Sequence, residues 1–319
     1  MSNEPRTGYT AAQIHQYYNR INLPERYRHE PGQASSKIAS QTSTGLELLS
    51  ALQRYNLAYI PFENLDLHYS SHHSISIDAE HVFEKIVTRE GGKGGRGGYC
   101  MVNNALFANV LRGLGFQVTS HGARISSSVS TSEDTPLADV SFPDNPDLKY
   151  HVDVGFGSGG PTAPFPLQHN EEGKLNIAPN QYARVIHSAI PGAASDQKVW
   201  VYEKRNGHQN FSPCYCFSET EFLEADFKVM NYWTSTNKDS WFTKMPVCLK
   251  MILDESGDSI VGHTHILKTD YKKRVGEEAL INRELTSEEE RINVIEEEFG
   301  IKLNEEERKG IHGMVSEIA

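Results

Sequence analysis

Hydrophobic positions divide the chain into a helical part and a stranded part. Leu46, Leu49, Leu52 and Leu57 follow Thr44-Gly45-Leu46-Glu47, which has the form of a capping box, and Pro61 ends that run. A second helix is expected across Ala79 to Val87. Leu106, Val110, Leu111 and Leu114 repeat at helical spacing after Cys100, with Gly113 and Gly115 closing the segment. Beyond residue 116 the runs shorten. Gln117–Thr119, Ala123–Ile125, Val140–Phe142, Lys149–Val154, Tyr182–His187 and Lys198–Glu203 read as strands, and Ser126 to Pro136 as a polar loop. Pro143 to Asp147 is a turn signal. Glu219 to Ser235 mixes acidic and aromatic residues and suggests no single element. Ser287 to Phe299 predicts a helix, capped by Thr286 and Glu289, that buries Ile292, Ile295 and Phe299. No internal repeat is evident.

Composition narrows the function classes. The chain has 319 residues and is 38% hydrophobic, enough for two or three packed layers or subdomains. A net charge of -11 argues against nucleic acid or an anionic membrane as the main partner. Met1 to Thr10 lacks an apolar leader core, and no run of apolar residues is long enough for a membrane span. The four cysteines, Cys100, Cys214, Cys216 and Cys248, show neither metal-ligand spacing nor a disulfide framework. A reduced, cytoplasmic setting is therefore expected.

The stretch Gly95-Arg96-Gly97-Gly98-Tyr99-Cys100 carries the most chemistry. Six of the ten residues from Gly91 to Cys100 are glycine, so a packed element is excluded there. Cys100 then stands where a glycine-rich loop meets a helix N-terminus, which stabilises a thiolate, and Arg96 adds positive charge. The plainer reading is a small buried cysteine at a helix start. A second candidate is Tyr150-His151-Val152-Asp153-Val154-Gly155-Phe156-Gly157. In a strand His151 and Asp153 share a face, with backbones about 6.5–7 Å apart. The plainer reading there is a core strand with a satisfied histidine. Glu63, in an apolar turn, either pairs with Arg96 or caps the surface.

Three segments together resemble the arylamine N-acetyltransferase family: Ile60-Pro61-Phe62-Glu63-Asn64-Leu65, Arg96-Gly97-Gly98-Tyr99-Cys100 and Asp153-Val154-Gly155-Phe156-Gly157. They stand in the family's order and near its spacing. Weaker likeness runs on through Phe222 to Phe227 and Asn231 to the C-terminal helix, and the extended loops look most like fungal members. The resemblance implies an α+β fold with a cysteine-protease-like core. It implies a helical subdomain over residues 1–115, a β-barrel-like middle over 116–220 and an α/β lid over 221–319. It implies ping-pong transfer from an acyl-CoA co-substrate to an amine, with no resident cofactor or metal. Cys100 would be the nucleophile, Asp153 the acid member of a triad, and Gly155, Phe156 and Gly157 part of the acyl-CoA contact.

The chain also departs from that pattern. Aligning the family's apolar run on Leu137 to Phe142 puts its triad histidine near Thr135, and no histidine lies between His121 and His151. Val102 stands where the family usually has glutamate. Three readings stay open. His151, or else His121, replaces the base and acyl transfer to a small-molecule amine or specialised metabolite persists. Alternatively, Cys100 works without a histidine as an isomerase or cyclase. Or the fold is a non-catalytic pseudoenzyme.

Overall fold

The computed structural model describes residues 8–89, 95–126, 134–194 and 197–318. The first part is helical: α1 (Ala11–Arg20), α2 (Gln33–Ala39), α3 (Thr42–Tyr59), a two-residue strand β1 (Phe62–Glu63), α4 (Ala79–Phe83) and α5 (Cys100–Gly113). Strands follow: β2 (Gln117–Ile125), β3 (Asp134–Phe142), β4 (Asn145–Val152), β5 (Phe165–Pro166), β6 (Lys174–Ile177), β7 (Gln181–Ser188), β8 (Val199–Asn206) and β9 (Ser212–Phe217). Then come α6 (Glu224–Thr236), β10 (Val247–Leu253), β11 (Ile260–Leu267), β12 (Asp270–Val275), β13 (Glu278–Glu284), α7 (Glu288–Phe299) and α8 (Glu305–Lys309). Among the described residues no helix is long and apolar enough to cross a membrane.

Strands β2 to β9 form one antiparallel sheet in the order β5-β4-β3-β2-β9-β8-β7-β6. A second sheet, β1-β10-β11-β12-β13, takes its first strand from the helical part. With the helices packed on these curled sheets, the fold is α+β, as expected. The largest core joins Tyr17, Leu52 and Val110 of the helices to Val140 and Val152 of the first sheet and Met251 of the second. Burying such side chains is worth about 1.5–3 kcal/mol each before entropy is subtracted. The first sheet also carries a separate cluster that includes Leu137, Phe165, Tyr202, Tyr215 and Phe217.

Several boundaries differ from the sequence expectation. Helix α3 starts at Thr42 and not at a Thr44 cap, because the Asp144 carboxylate accepts from the Thr42 backbone N–H at 2.8 Å. Ser287 caps α7 by accepting from Glu290 N–H, while Thr286 N–H donates to Glu290. The short strands expected at 117–119 and 123–125 are one strand, β2. Residues 134–136, expected in a loop, begin β3. Strand β3 pairs with β4 only from Ala138 onward, so Pro136 lies where its missing N–H costs no ladder bond on that side. The rest of that expected loop, 127–133, lies outside the described residues.

Candidate active site

The glycines before Cys100 are required by close backbone approach. Gly98 N–H donates to Pro61 O at 3.3 Å, and Glu63 N–H donates to Gly98 O at 3.1 Å. A Cβ at Gly97 would lie 1.9 Å from Pro61 O. The Ile60–Leu65 segment therefore clamps the loop, and Gly97 cannot carry a side chain. Tyr99 then occupies the N-cap of α5 and Cys100 its first helical position, 6% exposed. The Tyr99 hydroxyl donates to Asn231 of α6.

Arg96 is not a free cation beside the thiol. Its guanidinium meets Glu63 at 3.2 Å, Glu307 at 3.2 Å and Asp66. Lys85 adds contacts to Glu63 at 3.1 Å and Asp66 at 2.6 Å. Burial alone would raise the Glu63 and Asp66 carboxyls, but Arg96 and Lys85 outweigh it and hold both below the usual range. The Glu63–Arg96 pair considered from the sequence is therefore present. The charge expected near Cys100 is instead consumed in fixing the loop. Of the two influences expected on the sulfur, the helix end remains.

Asp153 follows β4 and is locked to the cysteine helix. Asn104, one turn after Cys100, donates from Nδ2 to Asp153 Oδ1 at 2.8 Å and accepts from Val154 N–H at 3.0 Å. Gly155 N–H donates to the same Asp153 oxygen at 2.7 Å. A Cβ at Gly155 would lie 2.6 Å from Cys100 Cα, so the glycine lets the two backbones touch. Asp153 Oδ2 is buried and has no aligned donor among the described residues. Burial pushes the Asp153 carboxyl up, and its donors oppose this without reversing it. Asn104 is the residue that sequence reasoning missed; its position one turn beyond Cys100 was the available signal.

His151 lies in β4, but the strand ends at Val152, so Asp153 stands beyond it and not on the same strand, and both ring nitrogens of His151 have other partners. Nδ1 lies 3.3 Å from Asp139 Oδ1, and Nε2 lies 2.8 Å from the Tyr215 hydroxyl. The ring stacks on Phe217 at 4.6 Å between centroids. His121, the other candidate base, meets Asp139 Oδ2 at 2.9 Å and Thr220 O at 3.0 Å. Thr135 stands opposite Ala123 in the β2–β3 ladder; its side chain lies outside the described residues. Val102, in place of the family's glutamate, packs where a Cβ on Gly98 would fall.

The loop after Asp153 is partly committed. Gly155 spends its N–H on Asp153, which removes it as a donor to a phosphate or thioester oxygen. Phe156 packs 5.0 Å from the Tyr215 ring. Gly157 has φ +83°, a conformation that favours glycine, and a Cβ there would meet only Leu249 at 3.7 Å. Gln53 of α3 holds the loop by donating to Pro161 O at 2.8 Å.

The family model described as N-acetyltransferase matches residues 45–308. The chain is 36% identical to N-malonyltransferase FDB2 of Fusarium pseudograminearum, over 98% of this chain and 94% of the relative. Its fold is similar to the arylamine N-acetyltransferase of Nocardia farcinica, with a TM-score of 0.74, 24% identity and 97% of each chain covered. The Mycobacterium marinum arylamine N-acetyltransferase in complex with CoA is likewise similar. Its TM-score is 0.73 at 21% identity, covering 96% of this chain and 99% of that one.

Proposed function

Because the chain belongs to the arylamine N-acetyltransferase family, and with it to the acyltransferases, we propose that it moves an acyl group from an acyl-CoA to a small-molecule amine through a thioester on Cys100. The observation that carries this reading is the contact between the Cys100 backbone and the Asp153–Gly155 turn, with Asn104 joining the helix to the carboxylate. A thiol at a helix N-terminus and a buried carboxylate with one unpartnered oxygen are the two ends of a nucleophile–base assembly. Asp153 serves as its acid member, with His151 two residues before it as the candidate imidazole. Gly157 and Phe156 line the approach of the acyl-CoA. The relative named a malonyltransferase makes malonyl-CoA a donor to test beside acetyl-CoA.

Incubation with acetyl-, propionyl- and malonyl-CoA, followed by intact-mass measurement, is expected to give one acyl adduct that maps to Cys100. Adding an amine acceptor is expected to discharge it. An unmodified protein with every donor would sink the thioester reading and favour a non-catalytic fold. A thiol that alkylates readily yet never takes an acyl group would favour isomerase or cyclase chemistry.

The position aligned with the family's histidine carries no imidazole, so transfer of acetyl to simple anilines is expected to be weak. Thr135→His is expected to raise it, since Asp153 Oδ2 is open to orient a new ring. Aniline acetylation by the unmodified enzyme at a rate equal to the variant's would show that a base is already in place.

A further inference from the structure

Neighbouring residues of β10 serve opposite sides of the second sheet. Leu249 faces the loop after Asp153, where a Cβ on Gly157 would meet it at 3.7 Å, and Lys250 points to the other side. There a cavity of about 780 Å³ is walled by Tyr55, Ala58 and Tyr59 of α3, by Leu23 and Pro24, and by Lys250 itself. Lys250, Thr264 and Lys273 stand side by side in one row across β10, β11 and β12. Glu298 of α7 closes over that row. Its carboxylate meets Lys273 at 2.9 Å, and its main-chain carbonyl accepts from Lys250 Nζ at 2.6 Å. Lys250 is partly buried and has no carboxylate within ion-pair distance among the described residues. Thr264 is 1% exposed, and its hydroxyl has no hydrogen-bond partner among the described residues. The cavity wall therefore carries an amine with N–H groups to spare beside an unsatisfied hydroxyl, and neither belongs to the site around Cys100.

We propose that Lys250 is a self-acylation site, whose amine takes the acyl group of a thioester seated in this cavity. The proposal rests on the acyl-transfer reading for its donor, an acyl-CoA, but not on the chemistry of Cys100. The charges around the cavity select the donor. Arg28 is held by Leu23 O and Asn19 Oδ1, both at 2.7 Å, and Lys273 by Glu298. Asp254 and Glu255 line the same cavity and have no cation within ion-pair distance among the described residues. They oppose an acidic acyl group and the phosphates of CoA, so the uncharged thioester arm enters with a neutral acyl group such as acetyl, and the phosphates stay in solvent. The neutral Lys250 nitrogen attacks the thioester carbonyl carbon. The carbon–nitrogen bond forms, the carbon–sulfur bond breaks, and the thiol leaves with the proton that the amine gives up. The amide keeps one N–H for the Glu298 carbonyl, so the charge is lost while the tie to α7 is kept.

The surroundings favour the free amine. Burial lowers the Lys250 ammonium, Arg20 and Lys273 lower it further, and Cys248 and Glu298 oppose them without reversing the direction. A larger share of the amine is then unprotonated near neutral pH than on an exposed lysine. Basicity by itself does not single out Lys250. Burial lowers Lys174 to about 8, and that side chain lies over the Phe165 ring at 3.9 Å and donates to Pro164 O at 2.7 Å. Lys250 adds the cavity, which holds a donor beside the amine and makes the reaction effectively intramolecular.

The test is peptide mapping of the full chain over time with acetyl-CoA, malonyl-CoA and the uncharged thioester S-acetyl-N-acetylcysteamine. Lys250 is expected to acetylate on the order of tenfold faster than the exposed Lys302, with acetyl-CoA and with the uncharged thioester, and to take little malonyl. Lys174 or Lys302 acetylating as fast as Lys250 would overturn the proposal, and malonyl adducts at the acetyl rate would overturn the selection by Asp254 and Glu255. The Lys250 adduct is expected to persist in Cys100→Ala, and its loss there would overturn direct reaction with the donor. Lys250→Arg is expected to lose that adduct alone, and an undiminished count of acetylated lysines in the variant would count against the assignment. The two readings separate in the wild type. Acetyl on Lys250 with Cys100 unmodified would overturn the thioester reading and leave this site standing, whereas acetyl on Cys100 with Lys250 unmodified would do the reverse.

Discussion

Cys100→Ser is expected to lose acyl transfer by a factor on the order of 10⁴ or more while keeping its thermal stability. The substitution changes one atom of a side chain at the first position of α5, 6% exposed, so packing is nearly preserved. What changes is acidity. A thiol yields a useful fraction of anion near neutral pH, especially at a helix N-terminus, and an aliphatic hydroxyl does not. The sulfur also gives a thioester, which an amine can open. Intact-mass spectra should show no acyl adduct on the variant. Transfer that persists in Cys100→Ser would mean direct attack of the amine on acyl-CoA, with the cysteine a packing residue.

The second large effect concerns stability. Arg96→Met is expected to destabilise the protein by about 3–5 kcal/mol, because removing one partner strands the charges it compensated. Arg96 is 1% exposed and faces Glu63, Asp66 and Glu307 together. Lys85 would remain as cation to Glu63 and Asp66, and Arg89 to Glu307. Urea unfolding of both proteins measures the difference. The sign of the pH dependence follows from the same cluster. Glu63 and Asp66 are held below the ordinary carboxyl range in the folded state. Their contribution is therefore complete above the unfolded value of about 4 and is lost as pH falls through the folded values. Arg96→Met should flatten that acid loss. An equal midpoint for the two proteins across pH 3 to 7 would show that the cluster adds nothing net to stability.

Local features were the ones most legible in the sequence. The helical spacing after Cys100 depends on neighbours along the chain and has the expected backbone in α5, whereas the strand expected over Lys149–Val154 ends at Val152 and leaves Asp153 just beyond it. Helix α6 gave no such signal. Its buried residues are Asn231, Thr234 and Ser235, while Val229 and Tyr232 face outward, so it has no apolar stripe to read. The start of β3 was masked by polarity and by Pro136, which an unpaired strand edge tolerates. The surroundings of His151 were beyond reach for a different reason. Asp139 and Tyr215 lie 12 and 64 residues away, and only the sheet register brings them to the ring. Likewise Arg96 reads as a charge available to the thiol, and only the fold shows Glu63, Asp66 and the distant Glu307 gathered on it.

That last contact joins residues 211 positions apart. It sets an order of events during synthesis. The glycine loop and its cysteine leave the ribosome early, after Glu63 and Asp66, but Arg96 lacks its third carboxylate until residue 307 has been made. Strand β1 also waits, since its partner β10 begins at Val247. The loop that leads into Cys100 is therefore fully fixed only near the end of translation, and an unfinished chain carries Cys100 behind a loop whose clamp is still incomplete.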